Sequence, residues 1–138
     1  MNVKTKNELK QILIQLLADK ADFALLFGSW AKGEAHTNQH SDIDCAAYFT
    51  PQIVADESYF DLAEQFESIV GRKLDLICLN NADIIIASQV VATGEVLFSH
   101  SKTQLNQYQA YVMSRYFDFK QSRKIIETNI LTRPNHGC

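Results

Sequence analysis

Nowhere in the 138 residues does an apolar run approach the roughly 20 that a membrane-spanning helix needs. The opening stretch, MNVKTKNELK, is polar and lacks the apolar core of a secretion signal, so a cytoplasmic chain with no membrane partner is expected. A basic excess is missing as well: 13 Lys and Arg stand against 16 Asp and Glu, a net charge of −3. Surfaces that bind duplexes normally present a basic face, so direct nucleic-acid binding is not expected. Cysteine is scarce. Cys45, Cys78 and Cys138 are an odd number without metal-ligand spacing, so free thiols are expected. Cys45 and Cys78 lie in strand-like runs and read as small core residues. There is no repeat, linker or low-complexity block, and the length suits a single domain over 1–138.

What is present is an alternation of helical and strand signals. Leu9, Ile12, Leu13, Leu16 and Leu17 recur with the period of an amphipathic helix. ADFALLFGS is a buried strand that stops at glycine, and after a polar loop DIDCAAYF is a second strand. ADESYFDLAEQFESIVG reads as a helix from about Ala55, ended by Gly71. KLDLICLN is a third strand. NADIIIASQVVATG predicts a helix capped by Asn80 or Asn81 and ended by Gly94. EVLFS is a short edge strand, and a long helical stretch runs from about Lys102 to Ile130, with room for one break. The expected fold is a small mixed α/β domain: a short sheet flanked by helices, with its core over about 21–100 and a C-terminal helical segment over about 102–130.

Two stretches carry chemistry. Side chains alternate across a strand, so Asp42 and Asp44 face the same side about 7 Å apart, while Ile43, Cys45 and Ala47 face a core. In KLDLICL the same alternation leaves Asp75 alone opposite Leu74, Leu76 and Cys78. If the second and third strands are neighbours, Asp75 meets the other two. Like charges so close repel, and desolvating them unpaired costs several kcal/mol each. A hard divalent cation such as Mg²⁺ removes the conflict and keeps positions open for water and phosphate. Three carboxylates on one or two such ions suit in-line displacement at phosphorus. The second stretch is Gly28-Ser29. Glycine allows a tight turn and close approach of a ligand to the backbone, and the amides and hydroxyl that follow make an anion seat, with Lys32 one turn on. Either feature alone is ordinary turn or surface chemistry. Their succession on consecutive strands makes them informative together.

FGSWAKG, SDID and KLDLI, in that order between Phe23 and Phe98, resemble the signature of DNA polymerase β-like nucleotidyltransferases, in particular the minimal (MNT) branch. The resemblance implies ATP as nucleotide donor, Mg²⁺ as cofactor, Asp42 and Asp44 as metal ligands, Asp75 as metal ligand or general base, and Gly28-Ser29 as triphosphate seat. Many minimal members are antitoxins that transfer AMP to a tyrosine of a HEPN ribonuclease toxin, so a HEPN partner is implied. Twelve residues, Trp30 to Ser41, separate Gly-Ser from Asp42 where the antitoxin pattern has ten. The longer loop costs little, but contacts at Thr37 or Ser41 do not carry over. YVMSRYFDFK is similar to the helix that follows the core in these antitoxins.

Other residues read more plainly. His36 and His40 sit in a polar loop and are expected to be solvated. Trp30 is equally suited to pack against an adenine or to cover the core. Tyr108, Val112 and Phe119 share a helix face, with Tyr111 off it. Five aromatics within Tyr108–Phe119 form either a core face or, with Arg115, anchors for a partner. Little sequence follows the nucleotide site, so the acceptor is expected to come from another protein. A small-molecule (aminoglycoside-type) transferase and an antitoxin acting by binding alone are the alternatives.

Overall fold

The structure, a computed structural model, describes residues 5–32 and 42–132. His36, His40 and Cys138 lie outside the described residues. Elements follow the order α1 (Lys6–Leu17), β1 (Ala21–Phe27), α2 (Ser29–Lys32), β2 (Ile43–Phe49), α3 (Pro51–Asp56), α4 (Tyr59–Val70), β3 (Leu74–Cys78), α5 (Ile84–Thr93), β4 (Glu95–Ser99) and α6 (Lys102–Thr132). The four strands form one sheet in the order β3-β2-β1-β4, with β1 antiparallel to both neighbours and β2 parallel to β3.

One sheet face presents Ala24, Leu26, Ile43, Cys45, Ala47 and Leu74. It is covered by Leu9, Leu13 and Leu17 of α1 and by Leu62, Phe66 and Val70 of α4. Each fully buried leucine contributes about 1.5–3 kcal/mol through lost apolar hydration. The opposite face carries a second cluster, Phe23, Leu25, Ala46 and Leu79, closed by Val90 of α5 and Leu105 of α6. The face shared by the aspartates is therefore also a core face further along. Only its beginning is left to the carboxylates.

Helix limits differ from the sequence reading in three places, each for a local reason. Pro51 starts α3, and Glu57 then adopts φ 55°, which breaks the helix, so α4 begins at Tyr59 and only Asp61 is an acid in its first turn. Asp83, not an asparagine, caps α5, its carboxylate accepting from the amides of Ile85 and Ile86 at 2.9 and 3.0 Å. Asn80 instead brackets the end of β2: its Oδ1 accepts from Phe49 N at 2.8 Å and its Nδ2 donates to Phe49 O at 3.0 Å. The helix after β4 is unbroken for 31 residues. Among the described residues no helix is long and apolar enough to cross a membrane.

Candidate active site

β1 ends at Phe27, and the chain turns at Gly28 with φ 72° into α2. That left-handed conformation favours glycine. A second constraint is spatial: a Cβ at Gly28 would collide with the Asp44 carboxylate and stand 3.1 Å from its Cγ. The Gly-Ser turn and the first carboxylate of β2 are thus in direct apposition, as the pairing of Phe27 with Asp44 across the ladder requires.

Asp44 is in turn the register partner of Asp75 on parallel β3. Neighbouring strands lie about 4.8 Å apart, so the two carboxylates repel by roughly 1–3 kcal/mol at surface-like dielectric. The Asp44 carboxyl is accordingly held above its ordinary range, first by partial burial, then by the charges of Asp75 and of Asp42. Asp42 lies one residue ahead of β2 and is exposed, as is Asp75. None of the ion pairs among the described residues involves these three. Nor do any three Asp, Glu, His or Cys among the described residues already form a group able to hold a metal ion. The expected convergence is therefore realised for Asp44 and Asp75, with Asp42 close enough to be felt by its charge. Asp44 and Asp75, in register on neighbouring strands, have the oxygen chemistry a hard divalent cation takes, while the cluster of three expected from the sequence is not formed among the described residues.

Ser29 opens α2, and Lys32 ends it, its side chain lying outside the described set. Trp30 turns inward and is 3% exposed in the α1/α4 core with the Arg72 guanidinium 5.3 Å over its ring, so core cover, not adenine stacking, is its role. The sequence reading missed a support of the turn. Lys6 on α1 donates to Ala31 O at 3.3 Å and pairs with Glu95 at 2.7 Å, while Lys10 pairs with the same carboxylate at 3.1 Å. Lys6 first, then Lys10, holds the Glu95 carboxyl below its usual range. The spacing of lysines four apart on an amphipathic helix was visible. Their shared target, 85 residues beyond Lys10, was not.

Further along the same sheet face, a cavity of about 590 Å³ is lined by Tyr48, Asn80, Gln104, Tyr108 and Arg115 among others. Its floor is a three-ring cluster, with Phe23, Tyr48 and Tyr108 centroids 5.2–5.4 Å apart. Tyr108 donates to Leu79 O at 3.1 Å, and burial pushes its phenol up to about 12, so it stays protonated. Cys45 and Cys78 are buried free thiols, the former pushed up to about 12 by burial and the Asp44 charge.

A Methanocaldococcus jannaschii protein that carries the provisional name protein adenylyltransferase is 40% identical over 81 residues, 54% of this chain and 79% of the relative. A chain of the crystal structure of a toxin–antitoxin with AMP-PNP superposes with a TM-score of 0.72 at 24% identity, over 89% of this chain and 98% of that one. A chain of the complex between tri-AMPylated Shewanella oneidensis HEPN toxin and MNT antitoxin gives 0.70 at 22%, over 93% and 100%. At those identities the structural likeness is one of fold. The family model described as polymerase beta, nucleotidyltransferase matches residues 7–103, and the chain belongs to that nucleotidyltransferase family.

Proposed function

We propose that this chain is a single minimal nucleotidyltransferase domain, cytoplasmic, that transfers AMP from ATP to a tyrosine hydroxyl of a HEPN toxin and thereby neutralises it. The observation that carries the reading is the register pairing of Asp44 with Asp75 directly beside the Gly28 turn. The provisional name of the archaeal relative and the AMPylated toxin in the Shewanella complex supply the direction of transfer.

Gly28 and Ser29 receive the triphosphate through backbone amides and the serine hydroxyl, and Lys32 adds a cation. Asp42, Asp44 and Asp75 would hold Mg²⁺. Bound there, the ion supplies neutralisation of phosphate charge and a lowered pKa for the incoming hydroxyl. The acceptor oxygen forms a bond to the α-phosphorus as the bond to pyrophosphate breaks, and its proton passes to Asp75, the most exposed reach of the pair. Glycine at 28 lets the Asp44 carboxylate lie directly against the turn that opens α2, so the carboxylate and the anion seat are neighbours.

Incubation with ATP labelled at the α-phosphate, Mg²⁺ and the toxin encoded beside it should place the label on a toxin tyrosine. Asp44→Asn should lower transfer by more than about 100-fold, since losing a group that only orients a metal ligand already costs about 10–100-fold. Near-normal transfer by the variant would refute the assignment. Transfer to a small molecule is the second reading, favoured by the cavity on the same face; label appearing on an aminoglycoside instead of the toxin would select it. Neutralisation by docking alone predicts no label and an Asp44→Asn variant that still silences the toxin.

A further inference from the structure

α6 is about 46 Å long at 1.5 Å per residue. Its first half is anchored: Leu105 and Val112 are buried, and Tyr108 joins the ring cluster. From Phe117 to Ile126 every residue is exposed. Four of those ten residues are large and apolar. Phe117 is 62% exposed, Ile125 60%, Ile126 57% and Phe119 38%. The stripe Leu105, Val112, Phe119, Ile126 repeats every seven residues, so the line that packs the first half onto the domain continues unsupported along the second. Phe117 projects about 160° away from Phe119, so the apolar surface is not confined to one side. Large apolar side chains exposed on two sides of a helix mark a surface that a partner covers. A membrane surface would cover a single face. An unsupported half-helix of this length is also marginal in water.

The segment is charged in one sense. Between Met113 and Ile126 stand Arg115, Lys120, Arg123 and Lys124 against Asp118 alone, on a chain whose net charge is −3. The family model ends at residue 103, before nearly all of α6. The Shewanella antitoxin–toxin complex nevertheless matches 93% of the chain, which leaves far fewer residues unmatched than the 31 of α6. The helix is thus an addition to the transferase core that is shared with a structure solved in complex with a toxin.

We infer that the distal half of α6 is the docking element for the partner toxin, clasped on more than one side by an apolar groove with an acidic rim. This rests on the reading that the chain modifies a toxin, and it assigns the surface that brings the acceptor tyrosine to Asp44 and Asp75. Calorimetric titration of the full chain with the neighbour-encoded toxin tests it, comparing wild type, Phe119→Glu with Ile126→Glu, and Phe119→Leu with Ile126→Leu. The glutamate pair should weaken binding by more than 100-fold and leave helical content and binding of an ATP analogue with Mg²⁺ unchanged. The leucine pair should bind within a few-fold of wild type, and rising salt should weaken wild-type binding. Equal toxin binding by the glutamate pair would overturn the proposal, as would a wild-type chain that does not bind the toxin. So would sedimentation showing that the stripe only joins two copies of this chain. Lost binding with no AMP transfer by wild type would sink the enzymatic reading and keep the interface, whereas transfer with unimpaired variant binding would do the reverse.

Discussion

Gly28 is the residue on which the most geometry depends. It needs a left-handed backbone and it has no room for a methyl group, because the Asp44 carboxylate occupies that space. Gly28→Ala is expected to cost about 1–2 kcal/mol from the strained conformation alone. It should also push the carboxylate out of register, with AMP transfer reduced by about 100-fold or more; thermal denaturation and the labelling assay together read both effects. Ser29→Ala should be milder, raising the KM for ATP while kcat changes little, since the amides remain. Asp44 sets a pH dependence whose sign is fixed by its raised pKa. The folded chain holds this proton more tightly than the unfolded one, so without cation the Asp44 contribution favours folding most below its ordinary value of 3.8 and declines as pH rises through the raised value. Cation binding requires the ionised form, so Mg²⁺ affinity should increase with pH over that same window. Isothermal titration at a series of pH values should show the increase in wild type and a shallower one in Asp44→Asn, where only Asp42 and Asp75 remain to ionise.

At the scale of elements, the helix α5 depends on its cap. Its Ile84–Ile86 run is β-branched and a modest helix former, and the Asp83 carboxylate holds two of its first amides. Asp83→Ala should cost about 1 kcal/mol, measured by urea denaturation. Most elements were legible because their signal is local. The leucine period of α1, the glycine stop after β1 and the alternation in DIDCAAYF and KLDLICL depend only on near neighbours. Pairing of Asp44 with Asp75 could be anticipated as a condition, that β2 and β3 be adjacent. The misreadings were of another kind. Asn80 looked like a cap because Asn is a common one, but its amide is matched to the Phe49 backbone 31 residues earlier. The bridge from Lys6 and Lys10 to Glu95 likewise depends on two elements meeting at the edge of the fold. Alternation showed which face of β2 the aspartates share. It could not show that Ala46 and Tyr48, further along that face, are covered by α5 and α6.

For the described fold as a whole, one sheet is packed on both faces, and the aspartates occupy the end of one face that the helices leave open. The acidic corner at Asp44 and Asp75 and the basic distal half of α6 are two surfaces of opposite charge, which the proposed function uses for a nucleotide with its cation and for a protein. The proposed transfer chemistry depends on the cation. Manganese stands in for magnesium and reports its own binding by electron paramagnetic resonance. A titration of the full chain with Mn²⁺ and a non-hydrolysable ATP analogue should show tight binding in wild type, weakened at least about tenfold in Asp44→Asn and in Asp75→Asn, with each variant melting no lower than wild type. If Asp75→Asn binds Mn²⁺ as wild type does, the paired carboxylates of β2 and β3 are not the metal centre.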